Sequence, residues 1–175
     1  MMLVSCGVPT ETTPRSISDN QLPDGLRPAN ATGQPASAAS EAIRVWLVRD
    51  DGLTSVIRRI DSPATTLDVL ASLGIGPSDI EQRLSLRSAL PDASLIIDAQ
   101  INGGTAVVGL DSAFDQIPAT DQVLAIGQVV LTLTNLRGVG QVRFERDGSE
   151  VAVPLPDGRS VDRAVSADDF VALTG

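Results

Sequence analysis

Few side chains in this sequence could carry out chemistry. Carboxylates are plentiful, and a pair such as Asp98 with Glu145 could act as acid and base on a glycosidic bond, because that reaction needs two carboxylates and no imidazole. With 22 acidic residues, some pair always has a suitable place in the chain. There is no histidine, and each of the 13 cationic residues is an arginine. That composition excludes Ser/His/Asp triads, Cys/His pairs, lysine Schiff bases, the P-loop lysine and imidazole metal ligands. The runs Asp50-Asp51-Gly52, Asp147-Gly148 and Asp168-Asp169 lack the alternating ligands and distal glutamate of a calcium loop. Turn and cap chemistry accounts for them. No catalytic, cofactor-binding or metal-binding residue is assigned.

Binding chemistry is better represented. Arg44, Trp46, Arg58 and Arg59 fall within one alternating stretch, and arginine and tryptophan are the residue types enriched at interface hot spots. The competing reading is an arginine-bearing solvated strand with Trp46 packed inward. A net charge of −9 argues against nucleic acid as a partner, because a phosphate backbone would be repelled. The one cysteine, Cys6, cannot form an internal disulfide. It sits in Leu3-Val4-Ser5-Cys6-Gly7, which resembles the lipobox of bacterial lipoproteins: an aliphatic residue three positions before the cysteine, then small residues, then the thiol that takes the lipid. That resemblance implies diacylation of Cys6 and cleavage before it. Residues 1–5 are then the remnant of a lipoprotein signal peptide, since only Met1 and Met2 precede Leu3.

Residues 6–40 hold Cys6 and a Pro-, Thr- and Ser-rich linker without apolar periodicity. As a flexible coil it would span about 30 to 35 Å, enough to hold a domain clear of a membrane. Two acyl chains make such an anchor stable where one does not. Residues 41–175 are read as the folded domain, whose 42% hydrophobic content must fill a core with almost no aromatic residues.

The elements that position these residues follow from the pattern. Ala42–Ile60 reads as a hairpin turned at Asp51-Gly52, which sets Ile43 against Ile60, Leu47 against Val56, Trp46 against Ile57 and Arg44 against Arg59. The last is an unfavourable pair unless acids gather there. A helix is expected from Ser62-Pro63 to Leu73, and Ser78 with Glu81 has the spacing of a capping box that opens a second. Ser94–Leu110 reads as a hairpin turned at Gly103-Gly104, pairing Ile97 with Leu110, Ala99 with Val108 and Ile101 with Ala106. Residues 119–138 carry the strongest helical period, with Thr120 as N-cap. A third hairpin turns at Asp147-Gly148 and sets Val142 and Phe144 against Val153 and Val151. Ser166 and Asp169 would cap a terminal turn. The order of elements predicts an α+β domain: a mixed or mainly antiparallel sheet of hairpins with helices packed on one side.

Three stretches, RVWLVRDDGLTSVIRRI, LRSALP leading into INGGTAVVGL, and DQVLAIGQVVLTLTNLRGVGQVRFERDG, together resemble the GerMN sporulation and germination domain of envelope lipoproteins from Gram-positive bacteria, notably actinobacteria. The resemblance covers residues 43–160. It implies a small module similar to ring-building motifs that assembles with other envelope components without catalysing a reaction. It also implies export and a lipid-anchored place on the outer face of the cell membrane. The expected partner is an envelope protein or a cell-wall polymer, with no cofactor. The alternatives are an envelope polysaccharide hydrolase using paired carboxylates and a soluble cytoplasmic binding domain.

Overall fold

The computed structural model of the chain describes residues 39–175. Strand β1 (Ser40–Arg49) alternates buried Ile43, Val45 and Leu47 with Ala42, Arg44 and Trp46, and pairs antiparallel with β2 (Gly52–Asp61). The turn lies one residue earlier than Asp51-Gly52. Asp50 takes the left-handed conformation (φ 52°), Asp50 and Asp51 make the turn, and Arg49 pairs with Gly52. Aspartate tolerates that conformation because its short side chain can hydrogen-bond locally. Gly52 serves packing, since a Cβ there would stand 3.0 Å from the Leu173 carbonyl oxygen. Ile43 therefore faces Arg58, Leu47 faces Thr54, Trp46 faces Ser55 and Arg44 faces Ile57. The displacement is even, so every side chain keeps its expected face. The Arg44–Arg59 opposition disappears, with Ala42 in place of Arg44 across from Arg59.

Helix α1 (Thr66–Gly74) starts three residues after Pro63, because Thr65 and Asp68 form a reciprocal capping box: Asp68 N–H donates to Thr65 Oγ1 at 3.1 Å and Thr65 N–H to Asp68 Oδ2 at 2.9 Å. Helix α2 (Asp79–Arg83) opens on the expected Ser78/Glu81 box. Close packing of α1 on the distant 3-10 turn Ala93–Leu95 depends on Gly74, where a Cβ would meet the Ala93 Cα at 2.2 Å. Gly74→Ala is expected to lower stability by about 1 to 3 kcal/mol, the usual cost of overpacking, read as a lower urea midpoint at unchanged m-value.

Strand β3 (Leu86–Arg87) adds to β1 only at Val48 and Arg49, giving the sheet β2–β1–β3. In the second sheet, β4 (Ile96–Asn102) and β5 (Thr105–Leu110) pair as expected at Ala99/Val108 and Ile101/Ala106. A bulge between Ile96 and Asp98 puts Ile96, not Ile97, opposite Leu110, and Ile97 turns to solvent. Helix α3 (Ala119–Leu133) has Pro118 rather than Thr120 at its N-cap and makes no side-chain cap there. It is buried from Leu124 through Leu133 and packs on β1, β2 and β6 (Gln141–Arg146).

β6 runs parallel to β5, making the sheet mixed, and turns into β7 (Ser149–Glu150) at Asp147-Gly148. That hairpin keeps the expected Phe144–Val151 pairing, with Val151 N–H donating to the Phe144 carbonyl at 3.1 Å, but not Val142–Val153. Val142 exchanges two 2.8 Å backbone bonds with Val165, while Val153 belongs to β8 (Val153–Pro154) and pairs with Val161 in β9 (Ser160–Val161). Pro154 has no N–H with which to extend the ladder back toward β6. Ser166 and Asp169 cap the closing 3-10 segment Ala167–Leu173, which lays buried Phe170 against α3. The result is the α+β class expected, with helices against mixed and antiparallel sheets.

Candidate binding surface

Backbone groups alternate sides along a strand, and the Ala39 carbonyl accepts from Ser62 N–H at 2.7 Å, so the odd-numbered residues of β1 face β2. The even-numbered ones point their N–H and C=O outward. At Trp46 that outer edge is sealed by α3. Trp46 N–H donates to Thr132 Oγ1 at 3.1 Å, and its carbonyl accepts from Gln128 Nε2 at 2.8 Å. Gln128 Oε1 also accepts from Ala89 N–H at 2.5 Å. Both α3 side chains are fully buried and lie one turn apart on the same helix face. At Val48 and Arg49 the edge is covered by β3.

Ahead of Trp46 the edge is open. The outward backbone groups of Ala42 and Arg44 have no hydrogen-bond partner among the described residues. Both residues line a groove of about 510 Å³ whose other walls include Glu41, Thr65, Ile101, Asn135 and Arg137. Among the described residues Arg44 reaches only Ser55 Oγ, at 3.5 Å. Neither Arg44 nor Arg137 pairs with a carboxylate among the described residues, although Arg58, Arg87, Arg143, Arg146, Arg159 and Arg163 all do. Glu41, the groove's one acid, is engaged by the loop: its Oε1 accepts from Ala64 N–H at 2.8 Å.

Register brings three of the four sequence-predicted binding residues to one face. Arg44, Trp46 and Arg59 share it with Ile57, which is 63% exposed. Trp46 is half-buried, and its indole N–H is buried without a partner among the described residues. Arg58 lies on the opposite face. Its Nε and Nη2 donate to Glu81 Oε1 and Oε2 at 3.2 and 2.8 Å, Nη2 also donates to the Gly76 carbonyl at 2.8 Å, and Nη1 donates to the Ser72 carbonyl. It clamps the end of α1 and the start of α2 onto β2. Burial alone would raise the Glu81 pKa, but the hydrogen bonds from Arg58 and from Ser78 N–H outweigh it and hold the carboxyl below its ordinary value. Cys6 lies outside the described residues.

Arg137 and Ile101 were not singled out by sequence. Arg137 reaches the groove from the turn after α3 and Ile101 from β4, and no local pattern relates either to Arg44. The carboxylates Asp98 and Glu145 stand on either side of Gly109 in register, on one face of the second sheet. Two strand spacings separate their backbones by about 9.5 Å. Asp98 is exposed and accepts from Gln100 Nε2 at 2.8 Å, and Glu145 is half-buried. Among the described residues no helix is long and apolar enough to cross a membrane.

A family model described as "Germane: Sporulation and spore germination" matches residues 10–152. Among solved structures, the tandem GerMN domains of the sporulation protein GerM from Bacillus subtilis match at 18% identity and a TM-score of 0.56, covering 81% of this chain and 50% of that one. The first GerMN domain of the same protein matches at 16% identity and a TM-score of 0.51, covering 73% of this chain and 98% of that one. The chain thus spans half the length of the tandem structure. At these identities the likeness speaks for the fold. No curated protein matches.

Proposed function

This chain belongs to the Germane family of sporulation and spore germination, and from that premise we propose that it is a lipid-anchored, extracytoplasmic and non-catalytic binding or scaffolding domain. Its partner is an envelope protein or a cell-wall polymer, and its work is assembly or signalling in the envelope. One observation carries the reading: a strand edge open among the described residues, beside a groove with two arginines that have no carboxylate partner among those residues, in a chain of net charge −9. Edge strands are normally covered, and among the described residues this one is sealed at Trp46 and Val48 but not at Ala42 and Arg44. The anchor is Cys6, whose lipobox-like setting gives a mature protein beginning at a diacylated thiol.

Two measurements test this reading. Intact mass of the native mature protein should show residues 1–5 removed and diacylglycerol on Cys6; a free thiol with Met1 retained would put the domain in the cytoplasm instead. Capture of envelope material by the full chain should fall at least about tenfold in the double variant Arg44→Glu, Arg137→Glu, whose melting temperature should stay nearly unchanged because neither side chain has a carboxylate partner among the described residues and Arg44 makes only a long, exposed bond to Ser55. Undiminished capture would remove the groove from the account.

The placement of Asp98 and Glu145 across Gly109 favours a second reading, a glycoside hydrolase of inverting geometry. Against it, the pair occupies a sheet face on which Asp98 is exposed and bonded to Gln100. Release of reducing ends from purified cell wall by the wild type, absent in Asp98→Asn, would establish it.

A further inference from the structure

We propose that the open edge of β1 recognises an extended, acidic polypeptide segment, which adds to the sheet as a further strand and sets carboxylates against Arg44 and Arg137. This deepens the binding reading above and rests on it. The geometry selects a polypeptide because the free groups at Ala42 and Arg44 are backbone N–H and C=O pairs at strand spacing, the pattern that another peptide backbone complements. Ser40, Ala42 and Arg44 are the outward positions ahead of the sealed Trp46, so the edge accommodates about five residues of partner, roughly 15 Å at strand rise. Affinity for any extended segment comes from those main-chain bonds, and selectivity from alternate side chains.

Charge complementarity sets the selectivity. The groove holds two arginines without carboxylate partners among the described residues and one glutamate already engaged by Ala64 N–H. Among the described residues six other arginines are neutralised by neighbouring acids, whereas Arg49, Arg59 and Arg83, which lie outside the groove, are not. Arg87 pairs with Asp121 at 2.8 Å, Arg146 with Asp115 at 2.9 Å and Arg163 with Asp169 at 2.7 Å. A segment carrying Asp or Glu at alternate positions would bring to Arg44 and Arg137 what the chain supplies to those others. Ile101, 43% exposed on the β4 wall of the groove, offers apolar contact to the intervening side chains.

The test uses the full chain and a labelled, end-blocked heptapeptide in which Asp alternates with Val, read by fluorescence anisotropy. Binding should weaken with added salt and drop at least tenfold when Lys replaces Asp in the peptide or when its alternate amides are N-methylated. Ala42→Pro removes one outward N–H from an exposed edge position without touching the β1–β2 ladder, and should cause a similar loss. Arg44→Glu should shift preference toward the Lys peptide. The inference is overturned if the Asp peptide does not bind, or if N-methylation leaves binding unchanged, a result independent of how any variant folds. It is also overturned if soluble cell-wall glycan fragments, and not the peptide, bind in an Arg44-dependent way; that outcome would leave the binding-domain reading standing.

Discussion

Replacing Gln128 with leucine is expected to cost about 3 to 5 kcal/mol, a large share of the roughly 5 to 15 kcal/mol that holds a domain of this size together. The side chain is fully buried and satisfies two main-chain groups of different elements, the Trp46 carbonyl of β1 and the Ala89 N–H of the loop after β3. Leucine fills similar volume but leaves both unpaired, at about 1 to 3 kcal/mol each, and adds the strain of a branched side chain in a tight site. The melting temperature should fall by about 10 °C or more. Thr132→Val, which frees only Trp46 N–H, should cost about 1 to 2 kcal/mol. Equal and small losses in the two variants would mean that α3 does not seal the strand.

Arg58→Met should cost about 3 to 5 kcal/mol, the range for breaking a largely buried pair by removing one partner. The side chains of Arg58 and Glu81 are only 15% and 12% exposed. Losing the guanidinium strands the Glu81 carboxylate and the carbonyls of Ser72 and Gly76 together. The same clamp predicts a pH dependence. The folded-state pKa of Glu81 lies below its ordinary value of 4.5, so its contribution is fully present above that value and is lost as pH falls through the folded pKa. Hydrogen bonds also lower Asp68, Asp92, Asp157 and Asp169, so the whole domain loses stability in acid. The contribution of Glu81 is isolated by subtraction: the stability gap between wild type and Glu81→Gln should be wide at pH 7 and narrow steadily below about pH 4.5. A gap that does not change with pH would show that the clamp does not depend on charge.

Local signals were legible wherever a physical rule acts over a few residues. The Ser78/Glu81 and Ser166/Asp169 boxes, the Gly103-Gly104 and Asp147-Gly148 turns and the long apolar period of α3 all lie where the sequence indicates. Failures arose where a distant element decides. Gly52 reads as a turn residue but is required to be small by the arriving carbonyl of Leu173, and Asp50 takes over the left-handed position. Ile97 is displaced by a bulge that alternation cannot announce, and Val153 leaves β6 because Val165 comes back to pair with Val142.

The candidate site was legible to a smaller degree. Arg44, Trp46 and Arg59 share a strand face that any even register preserves. The division of Arg58 from them follows from the same alternation, but its role as a clamp depends on Glu81, 23 residues away in the chain. Gln128 shows in the sequence as a polar residue inside an apolar helix, an anomaly that points to a buried acceptor and donor without naming them. Arg137 gave no signal, because its relevance arises only when the end of α3 is set beside β1.

The division of β1 into a sealed and an open length is the claim on which the binding account turns, and residue-resolved amide hydrogen exchange on the full chain measures it directly. The account predicts that the Trp46 amide exchanges slowly, near the global unfolding limit, while the Ala42 and Arg44 amides exchange orders of magnitude faster. Comparable protection of all three amides in the free protein would contradict it, since the edge proposed for a partner would then already be occupied.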